Sequence, residues 1–294
     1  MSAAAAAPMR AASEPMTAST RAGAVIQHYI SSQVDALNRA IAAAERHAPG
    51  SAAEVRGVIH RLRTAIRGYA HLFTETPHGG PQLDQLLASL KHTEDLERLE
   101  VHFADRFEQL GLTAAEYPKW YAALDREVEE SYEQIERVHS QAWVAVLLEQ
   151  VRLFAEHARF TRDGDKPASS LMDVLSKSRL HLLDTYAKLS QATDLVAARD
   201  ATRTAARETH LLAEAAAPAL GRAAEEIIEP VSALGHLLVE YRQTIVARNW
   251  LLRLPGADRA DRLTASLADL EKEHLRQLGE QIDAAITEMS ERWR

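Results

Sequence analysis

The stretch VRGVIHRLRTAIRGYAHLF, residues 55–73, holds four arginines, two histidines and no acid. On a helix of ~3.6 residues per turn, Arg56, His60, Arg63, Arg67 and His71 share one face, because four, three, four and four residues separate them. Arg61 lies off that stripe. Like charges so placed repel by roughly 0.2–0.5 kcal/mol per pair on an isolated helix. The stripe therefore needs carboxylates from a neighbouring helix or a bound anion. Arginine suits an anion well, since its planar fork binds phosphate bidentately and keeps its charge at any relevant pH. His60, with His210 of a second stripe, would add a pH dependence, tightening anion binding below about pH 6.5 as imidazole gains charge.

A second stripe occurs in RDATRTAARETHLLAEA, residues 199–215, where Arg199, Arg203, Arg207 and His210 share a face. A constant offset of 147 residues lays Arg56 on Arg203, His60 on Arg207 and Arg63 on His210. The correspondence ends at Arg67, which meets Glu214. Two readings stay open. The stripes are solvated faces tied up in ion pairs, or they line one groove for an extended anion, bound chiefly by charge and weakened by salt.

The rest of the composition narrows the classes. The 294-residue chain carries a formal net charge of −8, which argues against general nucleic-acid binding but leaves room for a local basic groove. No cysteine is present, so disulfides and thiolate metal sites are excluded. No uninterrupted apolar run of about 18 residues occurs, so no membrane-spanning helix is expected. The opening MSAAAAAPMRAASEPMTAST lacks the apolar run of a secretory signal and reads as a disordered tail over 1–19. These features together predict a cytoplasmic protein. Glycine-rich phosphate loops, Gly-x-Ser-x-Gly elbows and His-Glu-x-x-His motifs are missing, and nothing indicates an enzyme, so no catalytic residue and no cofactor is assigned. Glu136/His139 and Glu271/His274 have the Glu-x-x-His spacing of di-iron bundles, but pairs of that kind are expected by chance and no metal site is assigned. Trp120, Trp143, Trp250 and Trp293 read as packing residues.

Ala, Leu, Glu and Arg dominate while β-branched residues and glycines are few, which predicts an all-α fold. Helices are expected over 21–48, 51–74, 81–110 and 118–160, the last broken near Ser140, and then over 169–193, 194–216, 220–253 and 257–293. Ser51-Ala52-Ala53-Glu54 has the form of a capping box opening the basic helix. Pro77, Gly79 and Gly80 mark a turn, and Pro230 predicts a kink. TRDGDKPASS, residues 161–170, divides the chain into bundles at 20–162 and 168–294, giving two antiparallel four-helix bundles related by pseudo-symmetry.

In order and spacing, AGAVIQHYISSQVDALNRAI, AAEVRGVIHRLRTAIRGYAHLF and LLASLKHTEDLERLEVHF, followed by ARETHLLAEAAAPALG and ALGHLLVEYRQTIVARNWLLRL, resemble the conserved histidine α-helical domain, or CHAD, family over about residues 20–294. The resemblance implies two related helical bundles facing each other across a basic cavity. It also implies binding of inorganic polyphosphate there without catalysis, and an association with polyphosphate granules. No separate triphosphatase-type signature is present, so a stand-alone domain is expected. Carried over position by position, the family's basic positions fall on Arg56, His60, Arg61 and Arg63 in the first bundle and on Arg203, Arg207 and His210 in the second; Arg67 from the stripe and Lys91 complete the candidate phosphate contacts. The signature histidines fall on Ala53 and Asp200, and the third helix reads Glu94-Asp95 where the family has Arg-Asp. Those acids raise the alternative of a diverged helical scaffold that has lost the ligand and acts through a protein partner. No specific nucleic acid is expected to bind.

Overall fold

The computed structural model describes residues 15–76 and 80–293. The sequence alternates helix formers with sparse Pro/Gly breaks, and the described residues form helices and turns with no strand. The first half comprises α1 (Ala22–Ala44), α2 (Ser51–Gly68), α3 (Gly80–Gln109), α4 (Lys119–His139) and α5 (Ala142–His157). The second comprises α6 (Met172–Ala187), α7 (Leu195–Leu220), α8 (Arg222–Arg253), the single turn α9 (Gly256–Arg259) and α10 (Arg262–Arg292).

The break at Ser140 falls where the sequence placed it, so α4 and α5 together act as the fourth rod of the first half. There α1 packs on α2 and α5, and α3 on α2 and α4; in the second half α7 packs on α6 and α8, and α8 on α10. The halves meet where α2 and α1 rest on α7 and where α3 rests on α8. Val55, Val58, Ile59, Leu62, Ile66 and Tyr69 of the basic helix are buried, so its apolar face points into the core and its arginines away from it. Alanines 205, 206, 213, 215 and 216 of α7 are buried at the junction; these small side chains let neighbouring helices approach closely. Gly68 is required at that contact, because a Cβ there would lie 2.3 Å from Leu212.

Several local details differ from the sequence reading. The capping box at Ser51 does not form: Gly50, at φ 76°, is the N-cap, and no side-chain cap is made. Ser51 is buried and its hydroxyl meets the Tyr132 hydroxyl at 3.1 Å, while Glu97 accepts the Gly50 N–H at 2.9 Å. Tertiary partners have taken over the groups that the local motif would have used. The basic helix also ends at Gly68 and continues as a 3₁₀ turn, Ala70–Leu72. Further on, α7 runs through Pro218 to Leu220 and ends at Gly221, φ 51°.

The segment 161–170 is a tightly held connection. Its Gly164 and Lys166 carbonyls accept N–H bonds from Gly23 and Ala22 at 2.9 and 2.8 Å. A Cβ on Gly164 would lie 2.3 Å from the Leu72 carbonyl oxygen. The expected tail lies outside the described residues up to position 14. Beyond it, Ala18 and Thr20 accept backbone bonds from Ser169 and Ala168 at 3.1 and 2.7 Å. Of the expected turn, positions 77–79 lie outside the described residues, and α3 begins at Gly80.

Candidate functional site

The faces of α2, α3, α7 and α8 that are not buried in the cores enclose a cavity of about 360 Å³ between the two halves. Of the residues singled out in the sequence, Arg56, His60, Arg61, Lys91, Arg203, Arg207 and His210 line it. Arg63 and Arg67 do not. Arg63 turns to Asp84 on α3, with Nε to Oδ1 at 2.8 Å, and Arg67 is exposed. Arg98 of α3 and His236 and Arg242 of α8 also line the cavity, and the sequence reading missed them.

At the centre, α2 and α7 bring together the two residues that the 147-residue offset equates. Arg207 Nη1 lies 3.3 Å from His60 Nε2. Among the described residues Arg207 has no carboxylate within ion-pair distance. Burial, with Arg203 and Arg56 nearby, lowers its pKa to about 10, so the guanidinium remains charged at neutral pH. Burial and the surrounding arginines, Arg207 foremost, push the His60 imidazole down to about 3. His60 is therefore a neutral acceptor for Arg207. Burial lowers His210 as well, against the opposing pull of Glu214. The expected gain of histidine charge near pH 6.5 does not occur in the free protein, because imidazolium would be desolvated among cations.

Carboxylates occupy the edges. Glu94 of α3 bonds Arg56 and, at 2.8 Å, Arg98. Lys91 pairs with Asp95 one turn along the same helix. Asp200 holds Arg203 at 2.9 Å and Arg242 at 3.2 Å, and these two cations outweigh burial to keep its carboxyl below the ordinary range. Arg61 pairs with Glu214 at 3.1 Å, and Glu214 also accepts the Tyr29 hydroxyl at 3.0 Å. Glu208 stays exposed and outside the cavity. The lining carries seven arginine and lysine charges, against four paired carboxylates in and beside it. A net positive cavity with Arg207 at its centre can hold an anion.

The CHAD domain family model matches residues 28–252. The chain belongs to the CHAD domain family. The match spans the helices that enclose the cavity and stops within α8, so α9 and α10 complete the second half beyond it. The comparison with curated proteins finds no match. Among solved structures, PptA from Streptomyces chartreusis is similar at 17% identity and a TM-score of 0.67, over 93% of this chain and 99% of that one. A crystal structure of the CHAD domain from the plant Ricinus communis is similar at 16% identity and a TM-score of 0.70, over 96% of each chain. At these identities the likeness establishes the CHAD fold over nearly the whole length. At the signature-histidine positions this CHAD chain has Ala53, whose methyl faces the cavity, and Asp200, which neutralises part of Arg203.

Other chemistry finds less support. Among the described residues no group of three or more His, Cys, Asp or Glu is placed to hold a metal ion. Glu271 is fully buried and bonds His102 and Arg106, while His274 turns to Glu240. Trp120 and Trp250 pack edge to face at 4.9 Å, and Arg179 lies over Trp293. Among the described residues no helix is long and apolar enough to cross a membrane.

Proposed function

We propose that this CHAD protein binds inorganic polyphosphate or a similar polyanion, without catalysis, in the cavity enclosed by α2, α3, α7 and α8. The observation that carries the reading is Arg207, a half-buried arginine facing the cavity whose partner at 3.3 Å is a neutral imidazole instead of a carboxylate. A partly desolvated cation without a carboxylate partner is costly, and an anion in the cavity would relieve that cost. Arg56 and Arg203 flank it from the two halves and would share the phosphates, with Lys91, Arg61 and His210 at the margin. Membership of the CHAD family supports the same ligand class, and a cytoplasmic role beside polyphosphate granules would follow from it.

The test is titration with long-chain polyphosphate across a salt series, for wild type, Arg207→Gln and the Arg56→Ala/Arg203→Ala pair. Binding at low salt that weakens log-linearly with salt, and weakens further in both variants, is expected. No binding by wild type at low salt would refute the reading, whereas unchanged binding in the variants would refute only the site. One specific observation favours a second reading: Glu94, Asp200 and Glu214 already pair with arginines of both halves. Under that reading the ion pairs hold a scaffold together for a protein partner, and phosphate leaves the thermal stability unchanged.

A further inference from the structure

The cavity is charged unevenly. Its cations come from α2, α3 and α7, joined by Arg242 on α8, whereas the rest of the α8 wall presents Val239 and Val246 together with the polar side chains of Ser232, His236 and Gln243. Val239 is 39% exposed, so this wall is open to the space and not buried beneath it. A bare phosphate chain laid there would gain nothing from the two valines. An uncharged body would gain by covering the same valines. The charge balance points the same way: seven cations set against four carboxylates leave three positive charges, enough for a short phosphate chain.

We propose that the cavity takes an organic oligophosphate. A short phosphate chain lies on Arg56, Arg203 and Arg207, and it is joined to an uncharged, partly apolar body. That body covers Val239 and Val246. This rests on the phosphate-binding reading of the same cavity and narrows its ligand class.

The test is calorimetric titration of the full chain with two matched pairs: tripolyphosphate against adenosine triphosphate, and diphosphate against geranyl diphosphate. In at least one pair the organic member is expected to bind at least about tenfold more tightly than its bare partner, a difference of about 1.4 kcal/mol. The Val239→Asn/Val246→Asn variant, with its fold checked by circular dichroism, should bring that ratio close to one. Arg207→Gln should weaken both members of the pair and preserve their ratio. Ratios near one in both wild-type pairs overturn the proposal, as does a ratio that survives the valine substitutions. If long-chain polyphosphate binds while every short ligand fails, the organic-phosphate proposal falls and the polyanion reading stands. If long-chain polyphosphate also fails to bind, both fall together.

Discussion

The contact between Arg207 and His60 sets the acid behaviour of the protein. Burial and the neighbouring arginines hold the folded-state pKa of His60 at about 3, whereas an unfolded histidine titrates near 6.5. Between those values the unfolded chain binds more protons than the folded one, so stability falls as pH drops from 6.5 towards 3 and is fully present above 6.5. His210, whose pKa is also lowered, adds to the same slope in the same direction. Replacing His60 with asparagine keeps a neutral acceptor for Arg207 and removes the titrating group. Thermal melts from pH 8 to pH 4 are expected to show a shallower acid decline in His60→Asn than in wild type. Identical slopes would mean that the imidazole is charged in the folded protein.

The third helix decides how strongly the cavity attracts an anion. Glu94 lies on α3 between Arg56 of α2 and Arg98 of its own helix, and the Glu94 and Arg56 side chains are 13% and 12% exposed. Breaking so enclosed a pair from one side strands a buried charge, at a cost of about 3–5 kcal/mol in comparable cases. Glu94→Gln should therefore lower the melting temperature without phosphate and bind tripolyphosphate more tightly, by about tenfold for a gain of about 1.4 kcal/mol. Added tripolyphosphate should raise the melting temperature of the variant more than that of wild type, and the salt slope of binding should steepen. An equal thermal shift in both proteins would exclude Glu94 as an internal competitor.

Much of this element logic was legible in the sequence. The spacing of Arg56, His60, Arg203 and Arg207 put them on two helix faces, and the offset between the halves matches the residues that touch. The acids at 94 and 200 were visible as departures from the family pattern. What spacing could not reveal was where neighbouring elements would draw each side chain: Arg63 turns to Asp84 and Arg67 stays exposed, so both fall outside the cavity. Arg98 was hidden among the acids of α3, and Arg242 and Gln243 lie on an α8 face without a simple charge period. The start of α2 was misread because a local motif gives no sign that Tyr132 and Glu97, far along the chain, will take the polar groups at Gly50 and Ser51.

At the scale of the whole molecule, polar contacts reinforce the packing of α1, α2 and α3 on α7 and α8 at two places, and the cavity lies between the halves. One clasp is the α2–α7 contact, where the Tyr69 hydroxyl donates to the Leu212 carbonyl at 2.8 Å. The other joins α3 to α10. There the fully buried Glu271 accepts from Arg106 at 2.9 Å and lies 2.9 Å from His102 Nε2, while the Trp120 indole N–H donates to Thr264 at 3.0 Å. Burial acts to raise the pKa of Glu271, but the hydrogen bonds from His102 and Arg106 outweigh it and hold the carboxyl below the usual range. A depressed carboxylate contributes stability that is present above the unfolded value near 4.5 and is lost as pH falls through the folded one. Glu271→Gln leaves Arg106 buried beside a neutral amide, a loss of about 3–5 kcal/mol by the same reasoning as for other broken buried pairs. Because α10 packs on α8, and α8 on both α7 and α3, that loss should spread through both halves. Calorimetry of Glu271→Gln is therefore expected to show one transition at lower temperature, with a flatter dependence on pH below 5. Two separated transitions, with the first half melting as in wild type, would mean that the halves fold independently and that the cavity between them is held by the α2–α7 clasp alone.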